Sequence, residues 1–426
     1  MTRPERVVRA IRRTAVLASA AALAAALGAP HAAAQEDDDD PIAGVREVVV
    51  KLDPAAGATI EEINSTYGTS TLDTLLGSAG IHLLAVPEGS AVDDIAEAMD
   101  EDPRLVYAEP NFTQSAPEGA SRFASAWNDS DPSAVRAERY GSQYAVTQLG
   151  LPAAHAVTRG AGVVVAVLDT GVQLDHPLLA GRTLGGGYDV VDDDPDPSEA
   201  ANGVDDDADG KVDEGTGHGT HVAGAALLVA PDARILPMRV LDSEGNGSVF
   251  TTAEAVNLAV ASGADVINMS FGSTARSELL EEVEGDADES GAVLVAAAGN
   301  LASTERQYPA AAEDTVAVTA TDVNGVRAPF ANSGPWIDVA APGDDIVSAL
   351  PVGAYAEWDG TSMAAPLVAG EAALVLAVRP RSPEEVTALV RRTAVRIDSG
   401  SGAGRIDVAA AVRAAAETGG EDGEGD

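Results

Sequence analysis

Three short segments carry the residue types that nucleophilic chemistry needs. Val165-Ala166-Val167-Leu168-Asp169-Thr170-Gly171 reads as an apolar strand that delivers one carboxylate at its tip. An Asp at that position is most often a cap or turn former, so Asp169 alone assigns nothing. Gly217-His218-Gly219-Thr220-His221-Val222-Ala223-Gly224 sets two histidines among small residues at a helix start. The zinc-protease helix requires His-Glu-x-x-His, and Gly219-Thr220 supplies no base, which disfavours a metal pair. His218 is the candidate base, since small neighbours would let a substrate backbone pass its ring, whereas His221, one turn on, reads as a buried, hydrogen-bonded histidine. Gly360-Thr361-Ser362-Met363-Ala364-Ala365-Pro366 leads into an apolar helix. Serine there is ordinarily an N-cap; as a nucleophile, Ser362 would stand where backbone N–H groups and the positive helix end can bind a developing oxyanion.

The order of the three residues along the chain discriminates between enzyme classes. An α/β-hydrolase runs Ser, Asp, His and uses a Gly-x-Ser-x-Gly elbow, whose second glycine is missing; a chymotrypsin-like protease runs His, Asp, Ser. Asp169, His218, Ser362 is the third known order. On these motifs the sequence from Gln148 to about Ala415 resembles the subtilisin-like serine proteases. The resemblance implies that Asn300, ending Ala296-Ala297-Ala298-Gly299-Asn300, donates its amide to the oxyanion beside the Ser362 N–H. It implies that Ser270, Phe271 and Gly272 pair with the substrate backbone and, with Ala297, Ala298 and Gly299, wall the primary pocket. The segment containing Gly245 and Gly247 would form the opposite edge. The implied activity is a secreted serine endopeptidase acting through an acyl-enzyme, with no cofactor required for the chemistry. The alternative, a non-catalytic secreted calcium-binding protein on the same fold, would be favoured by loss of a triad residue; all three and Asn300 are present.

The elements that must position these residues follow from hydrophobic patterning. β-rich runs at Val163 to Leu168, Ile235 to Val240, Val266 to Met269, Val293 to Ala297, Val316 to Ala320 and Ile337 to Ala340 alternate with helical stretches at Gly219 to Val229, Thr252 to Ser262, Arg276 to Ser290 and Ser362 to Val378. Such alternation predicts an α/β fold, a three-layer parallel sheet with helices on both faces and its active site at the carboxyl ends of the strands. Residues 45–112 have a different rhythm, with strands at Glu47 to Leu52, Ile81 to Val86 and Arg104 to Ala108 and helices at Ala58 to Tyr67 and Val92 to Met99, which suits a small α+β ferredoxin-like unit. Given the resemblance, this unit is expected to be an inhibitory propeptide, the enzyme's intramolecular partner, removed by self-cleavage somewhere after Asn111. Residues 113–147 read as linker and start of the mature enzyme, 148–415 as the catalytic domain, and 416–426 as an acidic tail.

The chain has 426 residues, no cysteine, and 68 acidic against 26 basic residues, of which only Lys51 and Lys211 are lysine. A disulfide miniprotein, a cysteine-ligated zinc module and a thiol enzyme are excluded, and the formal charge of -42 argues against binding nucleic acid through phosphates. Arginines at 3, 6, 9, 12 and 13, an apolar stretch from Ala15 to Gly28 and Ala32-Ala33-Ala34 read as a signal peptide over residues 1–34, too short to remain as a membrane anchor. Residues 35–44 read as an acidic linker. Nothing later reads as a membrane span, and a secreted, extracellular monomer acting on proteins or peptides is expected. Between the Asp169 and His218 motifs lies an acidic insertion in which Asp205, Asp207, Asp209 and Gly210 have the Asp-x-Asp-x-Asp-Gly spacing of a calcium loop. Its twelfth position is Thr216, not the bidentate Glu of an EF-hand, so a structural calcium site and a solvated acidic loop both stay open.

Overall fold

The computed structural model describes residues 46–78, 80–116, 137–185, 187–199, 201–205 and 210–417. The expected signal peptide and acidic linker, Asp207, Asp209 and residues 418–426 lie outside them.

The N-terminal domain runs β1 (Glu47–Leu52), α1 (Ile60–Tyr67), β2 (Ser70–Thr74), β3 (Ile81–Ala85), α2 (Val92–Asp100) and β4 (Leu105–Pro110). Its antiparallel sheet has the order β2-β3-β1-β4, the ferredoxin-like arrangement expected. The edge strand β2, Ser-Thr-Leu-Asp-Thr, is largely exposed and carries no apolar alternation to read. Thr59 starts α1 with a capping box, and Gly68 ends it in the left-handed region at φ 73°. On β1, Val48 and Val50 face the helices, packed with Ile63, Leu84 and Met99. Val49 points the other way and is equally buried, because the opposite face of the sheet docks on the larger domain.

Next come β5 (Thr113–Ser115) and the short helices α3 (Ala137–Tyr140), α4 (Tyr144–Gln148) and α5 (Leu151–His155). Residues 117–136 of the stretch read as linker and start of the mature enzyme lie outside the described residues; ahead of them β5 is a strand held by main-chain bonds that leave no periodic signature. The larger domain continues with β6 (Val164–Asp169), β7 (Tyr188–Asp189), α6 (His218–Val229), β8 (Arg234–Arg239), β9 (Asn246–Ser248), α7 (Val249–Ala261), β10 (Val266–Met269), α8 (Glu278–Glu289), β11 (Val293–Ala297), β12 (Thr315–Thr321) and β13 (Val339–Pro342). It ends with the hairpin β14 (Ile346–Leu350) and β15 (Ala354–Trp358), then α9 (Thr361–Val378), α10 (Pro383–Thr393) and α11 (Val408–Glu417).

Seven strands form one sheet in the order β13-β12-β11-β10-β6-β8-β7, every pairing parallel. Side chains alternate between two cores: Val165 and Val167 of β6 pack with α6 and α9, while Ala166 and Leu168 pack with α7 and α8. One sequence expectation needs correction here. Among the described residues, α9 is long and apolar enough to cross a membrane, with mean hydropathy 1.6, yet 83% of it is buried inside the protein. It is the core helix of the three-layer fold.

The two domains meet across α7 and α8. Val49, Ile81, Leu75 and Tyr107 join the apolar cluster that includes Phe250, Val256, Leu280 and Val283. Polar contacts fix the register. Glu109 ends its strand against the start of α8, where Oε2 accepts the Glu278 N–H at 2.8 Å and Oε1 accepts the Leu279 N–H at 3.1 Å and the Ser277 hydroxyl at 2.6 Å. At the start of α7, the Phe112 carbonyl accepts the Val249 N–H at 3.0 Å and Asn111 Oδ1 accepts the Phe250 N–H at 3.1 Å. The first helical N–H groups, which have no intrahelical acceptor, are thus supplied from the other domain.

In a Ser362→Ala background, adding Glu109→Ala should weaken docking by about 1–3 kcal/mol, the cost of stranding buried donors. Limited proteolysis by an added protease should then cut the N-terminal domain about tenfold faster while the larger domain stays intact. Unchanged cleavage would show that the apolar face alone holds the domains together.

Candidate active site

β6 ends at Asp169 and α6 begins at His218, and the fold sets these termini side by side. His218 Nδ1 lies 2.7 Å from Asp169 Oδ1, and both residues are 0% exposed. The same oxygen accepts the Thr170 N–H at 2.8 Å. A carboxylate can only accept, so Nδ1 carries the proton and Nε2 is left as the basic nitrogen. Gly219 permits this approach: a Cβ there would stand 2.1 Å from the Gly171 carbonyl oxygen and 3.1 Å from Asp169 Cβ. The small residue after His218 is therefore explained by the nearness of the β6 exit rather than by room for a substrate.

Trp358, at the end of β15, stacks on His221 with ring centroids 4.6 Å apart and lies 6.4 Å from the His218 ring at an interplanar angle of 25°. It ties the imidazole to the segment that carries Ser362. His221 is fully buried, with Nε2 3.2 Å from the Ile346 carbonyl. Burial, and then the neighbouring His218, push its pKa down to about 3, so it is a neutral core histidine.

Ser362 occupies the first turn of α9 and is 0% exposed. Pro366, four residues on, has no N–H to give the Ser362 carbonyl. That carbonyl instead accepts the Ser270 hydroxyl at 3.0 Å, while Ser362 Oγ donates to the Ser270 carbonyl at 3.0 Å. Asn268 Nδ2 in turn donates to Ser270 Oγ at 2.9 Å. The exit of β10 is thereby fastened to the serine.

Asn300 is 2% exposed, and its Oδ1 accepts both the Thr361 N–H at 2.9 Å and the Thr361 hydroxyl at 3.0 Å. These bonds engage the carbonyl edge and fix the amide, so the NH2 group forms the opposite edge. Thr361 also accepts the Gly299 N–H, and Asn332 braces the same loop through the Ala298 carbonyl and the Leu301 and Ser303 N–H groups.

Beside these residues, β5 pairs antiparallel with β9, setting Gln114 opposite Gly247. Its other edge faces Gly272, where Ser115 N donates to the Gly272 carbonyl at 3.1 Å and Gly272 N to the Ser115 carbonyl at 3.0 Å. Ala116 N donates to the Gly245 carbonyl at 3.0 Å. The expected edges, Gly245 and Gly247 on one side and Gly272 on the other, therefore hold a strand of the chain's own N-terminal region. The Phe271 side chain points into the core with Leu168 and Met269, so that residue offers only its backbone. Ala297 and Ala298 are buried beneath the Asn300 loop.

Reasoning from sequence missed Glu199, Thr170, Thr220, Trp358 and Asn332. Glu199 lies in the acidic insertion, where one more carboxylate reads as solvated, yet it is partly buried and accepts the Thr170 hydroxyl, the Thr220 hydroxyl and the Gly217 N–H. Of the candidate calcium residues, Asp205 is described: Oδ2 accepts the Gly210 N–H at 3.0 Å, and Oδ1 is buried with no hydrogen-bond partner among the described residues. Among those residues no group of three or more His, Cys, Asp or Glu is placed to hold a metal ion.

Residues 160–420 match the model of the subtilase family of peptidases, and residues 28–111 match the fervidolysin N-terminal prodomain. A thermophilic serine proteinase of Bacillus sp. (strain AK1) is 39% identical over 73% of this chain and 72% of its own length. Thermitase of Thermoactinomyces vulgaris is 39% identical over 64% of this chain and 96% of its own. A solved protease structure from Pseudoalteromonas arctica superposes with a TM-score of 0.59 at 32% identity, covering 65% of this chain and 98% of that one. The chain belongs to the subtilase family and is a subtilisin-like serine protease with an N-terminal prodomain.

Proposed function

We propose that Asp169, His218 and Ser362 form the catalytic triad of an exported endopeptidase made as a self-processing precursor. The observation that carries this reading is the buried 2.7 Å bond between Asp169 and Nδ1 of His218, on the helix α6 that packs against α9, whose first turn holds Ser362. His218 Nε2 takes the Ser362 proton as Oγ attacks the amide carbon, and Asp169 holds the tautomer and stabilises the imidazolium. His218 then protonates the leaving amine, and water repeats the cycle on the acyl-enzyme. The Asn300 amide and the Ser362 N–H receive the oxyanion. A substrate would add a strand between β9 and Gly272, gaining affinity from main-chain bonds with little demand on sequence. The non-catalytic alternative is not favoured, since every residue the chemistry needs is present and the Asp–His bond is formed.

The seating of β5 supports the inhibitory role of the prodomain: the segment that leaves it already lies where a substrate backbone would. Self-cleavage is then expected beyond Ala116. The leader at residues 1–34 supports export, in keeping with the acidic, cysteine-free composition. Calcium at the 205–210 loop is proposed as a structural ion only. The unpartnered Asp205 Oδ1 fits such a ligand, and the ion would brace the insertion without entering the reaction.

Ser362→Ala should abolish fluorophosphonate labelling and leave the precursor full-length, whereas wild type should be trimmed; trimming of the purified variant to the same size would rule out self-processing. Asn300→Ala should lower kcat by about 100- to 1,000-fold with little change in KM, a magnitude established on a subtilisin rather than deduced from this geometry. Removing calcium with a chelator should lower the melting temperature, and a melt that does not move would leave the loop simply solvated.

A further inference from the structure

Glu284, Glu371 and Glu199 of the larger domain have no cationic partner among the described residues; the first two are fully buried, whereas the third is partly buried. Glu284 and Glu371 have no hydrogen-bond partner on either oxygen among the described residues, and burial pushes both well above the usual carboxylate range, so they are neutral acids of the core. Glu199 is different. Its Oε1 accepts the Thr170 hydroxyl at 2.5 Å and the Gly217 N–H at 2.6 Å, and its Oε2 accepts the Thr220 hydroxyl at 2.5 Å. Thr170 follows Asp169 directly, and Gly217 and Thr220 bracket His218. Thr170 Oγ1 also accepts the Gly219 N–H at 3.0 Å, closing a loop of bonds around the acid–imidazole pair.

We propose that Glu199 is a positioning residue for catalysis: its triply hydrogen-bonded carboxylate staples the turn after Asp169 to the first turn of α6 and so fixes the Asp169–His218 hydrogen bond. The proposal rests on the triad assigned above. Glu199 sits at the amino end of α6, where the helix dipole favours an anion. The titratable groups facing it are Asp169 and, one residue from Gly217, His218. Burial pushes Glu199 up to about 7; the bonds from Thr170, Thr220 and Gly217 act in the opposite direction, and the charge of Asp169 raises it slightly. Only the anion accepts all three donors. A proton on Oε2 would reverse the bond to Thr220: the hydroxyl, already accepting the Gln173 N–H at 2.9 Å, would have to accept that proton too and turn its own hydrogen away from the carboxyl. The staple is therefore complete above about pH 7 and loosens as pH falls through that value, which adds a second proton to the acid limb set by His218.

The test compares wild type with Glu199→Gln and Glu199→Ala, each expressed as the full chain and matured in trans by a trace of wild-type enzyme. Readouts are kcat and KM from pH 5 to 9, fluorophosphonate labelling of Ser362, and the low-field proton resonance of His218 Nδ1–H. Expected are a kcat lowered about 10- to 100-fold with KM within twofold, a displaced Nδ1–H resonance, and, in Glu199→Gln, an acid limb reduced from more than one proton to one. A kcat per labelled Ser362 within twofold of wild type in Glu199→Gln, with resonance and acid limb unchanged, overturns the proposal even if Glu199→Ala fails to fold. If wild type itself does not label at Ser362, the triad assignment fails, and the Nδ1–H resonance still reports whether Glu199 holds the Asp–His pair.

Discussion

A hydrogen bond between two groups removed from water, Asp169 and His218, sets the terms for everything around it. Burying a carboxylate without donors costs several kcal/mol, so the strand that carries it must end where donors are waiting. β6 does this from within the sheet, between β10 and β8, and its last residue has the Thr170 N–H and the imidazole on a single oxygen. The parallel topology is what brings α6 to that point. Asp169 reaches its partner only because Gly219 lets the helix start press against the Gly171 carbonyl.

Helix amino ends recur as the fastening points of this molecule. α6 is met by Thr170 and Glu199, and α9 by Asn300, which takes the Thr361 N–H. α7 and α8 are met by Phe112, Asn111 and Glu109 of the prodomain. The physics is the same in all four cases, since the first N–H groups lack intrahelical acceptors and the dipole favours negative charge. The consequence differs. The acceptors of α6 and α9 belong to the larger domain that carries the candidate site, whereas those of α7 and α8 belong to the prodomain. The prodomain contacts therefore lie on helix starts other than those that carry His218 and Ser362.

Much of this was legible in the chain. The motifs around Asp169, His218 and Ser362, the strand-and-helix alternation and the prodomain's separate pattern have strong local signatures, because buried parallel strands read as apolar runs and the small prodomain has its own period. Helix α9 was read correctly as apolar but not as a segment with the composition of a membrane span, since sequence does not say what will cover it. What escaped depends on pairings distant in sequence. β5 is three residues long and defined by bonds to Ser248, Gly247, Asn246 and Gly272. Glu199 is one acid among many until folding gathers Thr170, Thr220 and Gly217 around it, and Trp358 is an ordinary strand aromatic until it stacks on His221.

The composition also bears on how the precursor holds together. In a chain with formal charge -42, docking one acidic domain on another through ion pairs would work against long-range repulsion. Among the described residues the interface uses one such pair, Lys51 with Glu282 at 2.6 Å, between half-buried side chains and worth about 0–1 kcal/mol. Its contacts at the starts of α7 and α8 set oxygens of Asn111, Phe112 and Glu109 against helix N–H groups, where negative charge is favoured, beside an apolar patch of Val49, Leu75, Ile81 and Tyr107. Each such side chain, when fully buried, contributes about 1.5–3 kcal/mol. The three consecutive valines of β1 follow from this arrangement. A sheet covered on one face alone would need only Val48 and Val50; Val49 is apolar because the enzyme is the second cover.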